Sequence, residues 1–202
     1  MRERSRTENR VAAITELTLG STPDSRDHSR RADHADYADA VTDDKRPLAV
    51  FDLDNTLADT AHRQRYLERK PRDWNAFFAA APHDPPLAPG IELALASAEE
   101  CEVVYLTGRP ERCRADTEAW LARQGLPAGR IWMRGNADRR PARRTKLEIL
   151  RDLARTREIR MLVDDDELVC ADAARAGFTV VRADWADSSE ALKTAQEKEG
   201  RT

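Results

Sequence analysis

The chain has 202 residues, enough for one domain of ordinary size with an extension. It is 35% charged, against about 25% in an average domain, and its 34 basic and 37 acidic residues leave a net charge of -3, which selects neither nucleic acid nor a basic partner. No apolar run approaches the roughly 18 residues of a membrane span, and three widely spaced cysteines exclude a disulfide framework or a cysteine zinc site and suit a reducing cytoplasm.

Residues 1–46 mix Arg, Asp, Ser, Thr and His with few large apolar side chains. Such a segment buries too little surface to offset its ordering entropy, so a disordered extension is expected, with a short helix around Val11–Leu17. Its basic start is followed by a short apolar stretch that Thr15 and Glu16 interrupt, so no secretory signal is expected.

From Pro47 a regular alternation begins. LAVFDL (48–53), VVYLT (103–107), RIWM (130–133), IRMLVD (159–164) and FTVVRA (178–183) read as short buried strands, rich in β-branched and aromatic residues. Helical patterns fall between them, at about 91–100, 111–124, 145–156 and 167–176, the second lying before Gly125 and the last ending at Gly177, a helix stop. Strand and helix in alternation predict an α/β Rossmann-like three-layer sandwich with a mainly parallel sheet. Residues 60–90 break the pattern. They carry prolines and an aromatic cluster (Trp74, Phe77, Phe78), and are expected to form a small insert of one or two short helices near the active edge, or a surface excursion whose aromatics dock on the core. Residues 187–202 are expected to be a tail or fraying helix.

Ligands of open parallel sheets bind at the carboxyl ends of the strands. Three predicted strand exits carry polar chemistry: Asp52-Leu-Asp54-Asn-Thr56, Thr107-Gly108-Arg109 and Asp164-Asp165-Asp166. Carboxylates that converge there repel one another unless a cation sits between them, and an all-oxygen donor set points to Mg²⁺. Asp52 and Asp54, two apart, lie on one side of extended backbone, which suits one carboxylate as nucleophile and one as proton carrier. The same Asp54-Asn55-Thr56 also fits an Asx turn capping a helix. Thr107 offers a hydroxyl and an N–H to a phosphate oxygen. Lys146, at a helix start, is informative only in order with the other three.

That order, FDLDNT, VVYLTGR, TKLEIL and MLVDDD, resembles the four motifs of the haloacid dehalogenase-like phosphohydrolases, from about Pro47 to Trp185. The resemblance implies a phosphatase domain over 47–186 that forms an aspartyl-phosphate. It implies Asp52 as nucleophile, Asp54 as general acid and base, Thr107 and Lys146 holding the phosphoryl oxygens, and Gly108 and Arg109 as further substrate-binding residues. Mg²⁺ would be held by Asp52, the carbonyl of Asp54, and Asp165 or Asp164. Asn55 stands where that family has glycine; it tolerates left-handed backbone. The stretch DDDELVCADAARAG and the arginine of T-G-R resemble the phosphatase domain of polynucleotide kinase-phosphatases, in which that arginine contacts the nucleic-acid backbone; no kinase P-loop occurs in the chain. The expected substrate is a phosphomonoester, with a nucleic-acid 3′ end as the first candidate. Arg134, Arg139, Arg140, Arg143 and Arg144 would supply a local basic strip. A nucleotide or sugar-phosphate phosphatase, and a non-catalytic binding module, are the alternatives.

Overall fold

A computed structural model describes residues 46–186 together with Leu192, Thr194 and Glu197. The extension expected over 1–46, apart from Arg46, and most of the tail expected over 187–202 lie outside the described residues. Five strands form one parallel sheet in the order β3-β2-β1-β4-β5: β1 Leu48–Phe51, β2 Glu102–Pro110, β3 Ile131–Arg134, β4 Ile159–Asp164 and β5 Val180–Arg182. The chain grows outward from β1 through β2 to β3, then returns to the other side of β1 with β4 and β5. β1 is therefore the switch point, where the crevice of such a sheet opens.

The central strands are buried on both faces, and period-two alternation sorts their side chains between two cores. Ala49 and Phe51 of β1, Val103 and Tyr105 of β2 and Val163 of β4 face one way, against Ala94 of α3 (Ala88–Ser97) and Trp120 and Leu121 of α4 (Arg114–Arg123). Leu48, Val50, Val104, Leu106 and Leu162 face the other way, against Leu150 of α5 (Ala142–Leu153) and Val169 and Ala173 of α6 (Glu167–Arg175). This is the three-layer Rossmann-like sandwich the strand pattern predicts. Helix α5 begins three residues earlier than expected. Pro141 stands just before its first turn, where its fixed φ suits the entry, so Arg143 and Arg144 lie on a helix rather than in a basic loop.

The insert leaves after β1 and returns beside its own start. Asp59 N–H donates to Pro85 O (2.8 Å) and Leu87 N–H to Leu57 O (2.8 Å), so its two ends are stapled. Between them lie a 3₁₀ turn at Ala61–Arg63, α1 (Arg65–Glu68), α2 (Trp74–Ala79), capped by Asp73, and a second 3₁₀ turn at Ala81–His83. Its aromatics form a third core with Leu67, Cys113 and Leu192; Phe77 packs edge-on against both Trp74 and Phe78. Helix α3 then packs hard on the turn after β1. A Cβ at Gly90 would lie 2.1 Å from Thr56 O, so only glycine lets the two backbones approach this closely. Among the described residues no helix is long and apolar enough to cross a membrane.

Candidate active site

Strand β1 ends at Phe51, and its ladder runs one residue further: Asp52 N–H donates to Val163 O at 2.9 Å. Asp52 thus leaves the sheet in strand geometry beside β4. The chain then closes a tight turn in which Leu53 O accepts from Thr56, Leu57 and Ala58 N–H. Asn55 sits in that turn at φ 60°, the left-handed conformation its residue type tolerates. Its side chain is also used. Asn55 Nδ2 donates to Asp165 Oδ2 (3.3 Å), and Asn55 Oδ1 accepts from Thr60 Oγ1 (2.5 Å).

Asp52, Asp164 and Asp165, from two neighbouring strand exits, bring one carboxylate oxygen each within 4.8 Å of one another. Lys146, on the second turn of α5, reaches them from the opposite layer: its Nζ lies 2.7 Å from Asp164 Oδ2 and 2.9 Å from Asp52 Oδ1. All four side chains are buried. Three negative groups against one positive is an imbalance. Burial, with the neighbouring acids adding and Lys146 opposing, pushes Asp52 up to about 7. Burial and the charges of Asp52 and Asp164 push Asp165 well above the ordinary carboxylate range. The Asp164 and Asp52 carboxylates outweigh burial at Lys146 and hold it firmly charged. Asp165 Oδ1 has no hydrogen-bond partner. An orphaned buried oxygen in an excess of oxygen donors is what a small hard cation would satisfy, so the residues fit Mg²⁺. Asp166 stands apart: its Oδ1 accepts from Leu168 and Val169 N–H and caps α6.

Asp54 belongs to a second group. Its Oδ1 accepts from Arg63 Nη2 (2.7 Å) and Arg109 Nε (2.7 Å). Asp84, from the insert, receives Arg63 Nε on Oδ1, and Arg63 Nη2 and Arg109 Nη2 on Oδ2, all at 2.8 Å. Two carboxylates and two guanidiniums thus close a buried ring joining insert, β1 exit and β2 exit. Burial alone would raise Asp54, yet Arg109 and Arg63 outweigh it and hold the carboxyl below its ordinary range. The Arg63 guanidinium also lies 4.1 Å from the Phe77 ring centre, and Trp120 Nε1 donates to Asp84 O (2.8 Å). Thr107 is buried at the β2 exit, where its Oγ1 accepts from Arg109 N–H at 3.2 Å. Gly108 is buried beside it.

The expected residues therefore meet at one sheet edge, in two groups. Arg109, which the resemblance gives a nucleic-acid contact, is 1% exposed and engaged with Asp54 and Asp84. The expected basic strip is dispersed. Arg134 is buried and donates to Arg140 O, Arg140 pairs with Asp138 and Glu148, and Arg143 pairs with Asp172 and Glu197. Arg63 and Asp84 were not expected. Arg63 stands in a run of arginines (HRQRYLERKPR) and Asp84 between proline-flanked residues, and no spacing marks either one.

A family model described as the polynucleotide kinase PNKP phosphatase domain, of the haloacid dehalogenase type, matches residues 47–187. No curated protein matches the chain. Among solved structures, a chain of the Pnkp1/Rnl/Hen1 RNA repair complex superposes with a TM-score of 0.58 at 24% identity, over 75% of this chain and 46% of that one. A chain of a Pnkp1/Rnl/Hen1 complex gives 0.57 at 24% identity, over 70% and 47%. The class C acid phosphatase from Bacillus anthracis with tungstate bound gives 0.52 at 15% identity, over 75% and 77%. These likenesses carry the fold; the chain spans about half the length of the Pnkp1-complex chains it matches.

Proposed function

Because this chain belongs to the family of haloacid dehalogenase-type phosphatase domains of polynucleotide kinase, we propose that its phosphatase activity is directed at the 3′-terminal phosphate of a polynucleotide. The observation that carries the chemistry is the convergence of Asp52, Asp164 and Asp165 on one orphaned, cation-sized position beside Lys146. The family description and the RNA-repair setting of two structural neighbours support the substrate class.

Asp52, the carbonyl of Asp54, and Asp165 or Asp164 would hold Mg²⁺; when bound, the ion would neutralise converging carboxylate and phosphoryl charge. Lys146 and Thr107 hold phosphoryl oxygens, and Lys146, beside Asp52, favours the ionised carboxylate. Asp52 attacks phosphorus in line; the bond to the leaving oxygen breaks, and that oxygen takes a proton from Asp54. Asp54 then takes a proton from water, whose oxygen attacks phosphorus and releases phosphate and free Asp52. The two guanidiniums on Asp54 Oδ1 keep its carboxylate in place and favour the ionised form that takes a proton from water, while Asp54 Oδ2, which has no partner of its own, is the oxygen that carries the proton in each transfer.

Phosphate release with Mg²⁺ from a 3′-phosphorylated oligonucleotide, its 5′-phosphorylated counterpart and a sugar phosphate tests this. The 3′ substrate should lead in kcat/KM. A sugar phosphate turned over best would instead place the chain with small-molecule phosphatases.

A further inference from the structure

One cavity lies beside the catalytic groups without being used by them. It has about 290 Å³ of space and is walled by Trp74 and Phe78 of the insert, Pro110 at the end of β2, and Arg112, Asn136 and Arg139. Pro110 pairs with Arg134 in the sheet, so the cavity opens at the β2–β3 exits, the same edge as Thr107. Three residues of strand, about 10 Å, separate Thr107 from Pro110.

The cavity is positively charged. Arg112 and Arg139 are exposed, and among the described residues neither is held in an ion pair. The one acid in the lining, Asp138, is taken by Arg140. Arg112 is also pre-set. Its N–H donates to Asn136 Oδ1 (3.0 Å), tying the β2 exit to the β3 exit, and its guanidinium lies over the Phe78 ring at 5.3 Å. Two exposed guanidiniums lining one cavity, one of them propped by an aromatic ring, match a phosphodiester, which arginine pairs in planar, two-pronged geometry. Of the basic strip read from the sequence, Arg139 stays unpaired among the described residues, and Arg112, from outside that strip, joins it.

We propose that this cavity binds the internal phosphodiester next to a polynucleotide's 3′-terminal phosphate, with Arg112 and Arg139 pairing its oxygens. This rests on the polynucleotide reading above and narrows it: the enzyme measures one linkage back from the end. Phosphate contacts position without reading sequence, so the subsite confers preference for a chain over a mononucleotide and none among bases.

The test compares a nucleoside 3′-monophosphate, a dinucleotide bearing a 3′-phosphate, and that dinucleotide with a neutral methylphosphonate linkage. The charged dinucleotide should lead the other two in kcat/KM by about tenfold, equivalent to about 1.4 kcal/mol. Its apparent affinity should fall with log salt more steeply than the mononucleotide's by about 0.7. Joint replacement Arg112→Gln and Arg139→Gln should collapse both differences, and Arg112→Lys with Arg139→Lys should keep the salt difference. A wild-type enzyme that treats the charged and neutral linkages alike overturns the subsite, as does a glutamine pair that retains the tenfold ratio. If none of the 3′-phosphates is hydrolysed while a simple aryl phosphate is, the polynucleotide reading itself fails; hydrolysis of all three with equal efficiency removes only the subsite.

Discussion

At Lys146, three buried carboxylates face one ammonium, which pairs with two of them; around Asp84, two buried carboxylates share two guanidiniums. The first group is short of positive charge, its acids are raised by burial and by one another, and Asp165 Oδ1 lacks a partner. The second pairs two carboxylates with two guanidiniums; Asp54 in it is held low, although burial still raises Asp84. Burying charge is costly unless it is paired and hydrogen-bonded. The chain meets that condition where the insert must be tethered to the sheet, and leaves it unmet where a cation and a phosphate would complete the site. The contrast separates charges met by partners within the fold from charges that are not.

The sharpest separation comes from Asp52. Asp52→Asn should lower turnover by at least about 10⁴-fold, the scale of losing a nucleophile. Its cation-free melting temperature should hold or rise, because one of three repelling acids is gone. A variant within tenfold of wild type in the presence of Mg²⁺ would remove Asp52 from the reaction.

The ring should behave in the opposite way. Asp84→Asn leaves two guanidiniums facing one carboxylate, and breaking a buried ion pair costs about 3–5 kcal/mol. Urea denaturation should show that loss. Combining it with Arg63→Gln should cost less than the sum of the two, since both act on one network. Full additivity would mean that the four groups do not act as a unit.

What could be read in advance follows the same division. The unsatisfied group sits on strand exits, and LAVFDL, VVYLT and IRMLVD announce themselves as buried strands by composition alone. Once those strands pair in parallel, Asp52, Thr107 and Asp164 must share an edge. Lys146 was legible only through its order among the motifs. The satisfied group depends on the path of the insert. Nothing local makes Arg63 differ from Arg65, Arg69 or Arg72; the staple at Asp59–Pro85 and Leu57–Leu87 turns its side chain inward. The basic run at 139–144 misled for a related reason, because partners at Asp172 and Glu197 come from distant parts of the chain.

A pH series with and without Mg²⁺ sharpens the comparison at intermediate effect size. Asp52 titrates near 7 when folded and near 3.8 when unfolded. Between those values the folded chain binds the extra proton, so stability falls as pH rises from about 4 to 7. Asp54 has the opposite sign: its lowered value stabilises above about pH 4 and is lost as pH falls through the folded value. Metal ligands must be deprotonated to bind. Mg²⁺ should therefore raise the melting temperature at pH 8 by several degrees and hardly at all at pH 5, and Asp52→Asn should flatten the decline seen without the ion. An equal Mg²⁺ effect at both pH values would mean that the ion binds elsewhere.

Asn55 offers the smallest and most specific effect, because it joins the turn to the unsatisfied group by two separable properties. Its backbone sits at φ 60°, and its amide donates to Asp165 Oδ2. Asn55→Gly keeps the first and deletes the second; Asn55→Ala deletes the amide and adds left-handed strain of about 1–2 kcal/mol. If the amide orients Asp165 as an outer partner orients a metal ligand, both variants should weaken Mg²⁺ binding by about tenfold, read as the Mg²⁺ concentration giving half-maximal turnover. Only the alanine variant should also lose the extra stability in cation-free melting. Equal Mg²⁺ dependence in wild type and Asn55→Gly would reduce the residue to its backbone conformation, the role glycine fills at this position in the resembling family. A tenfold shift shared by the two variants would explain why this chain carries an amide there instead: one more hydrogen bond on the carboxylate that has an oxygen to spare.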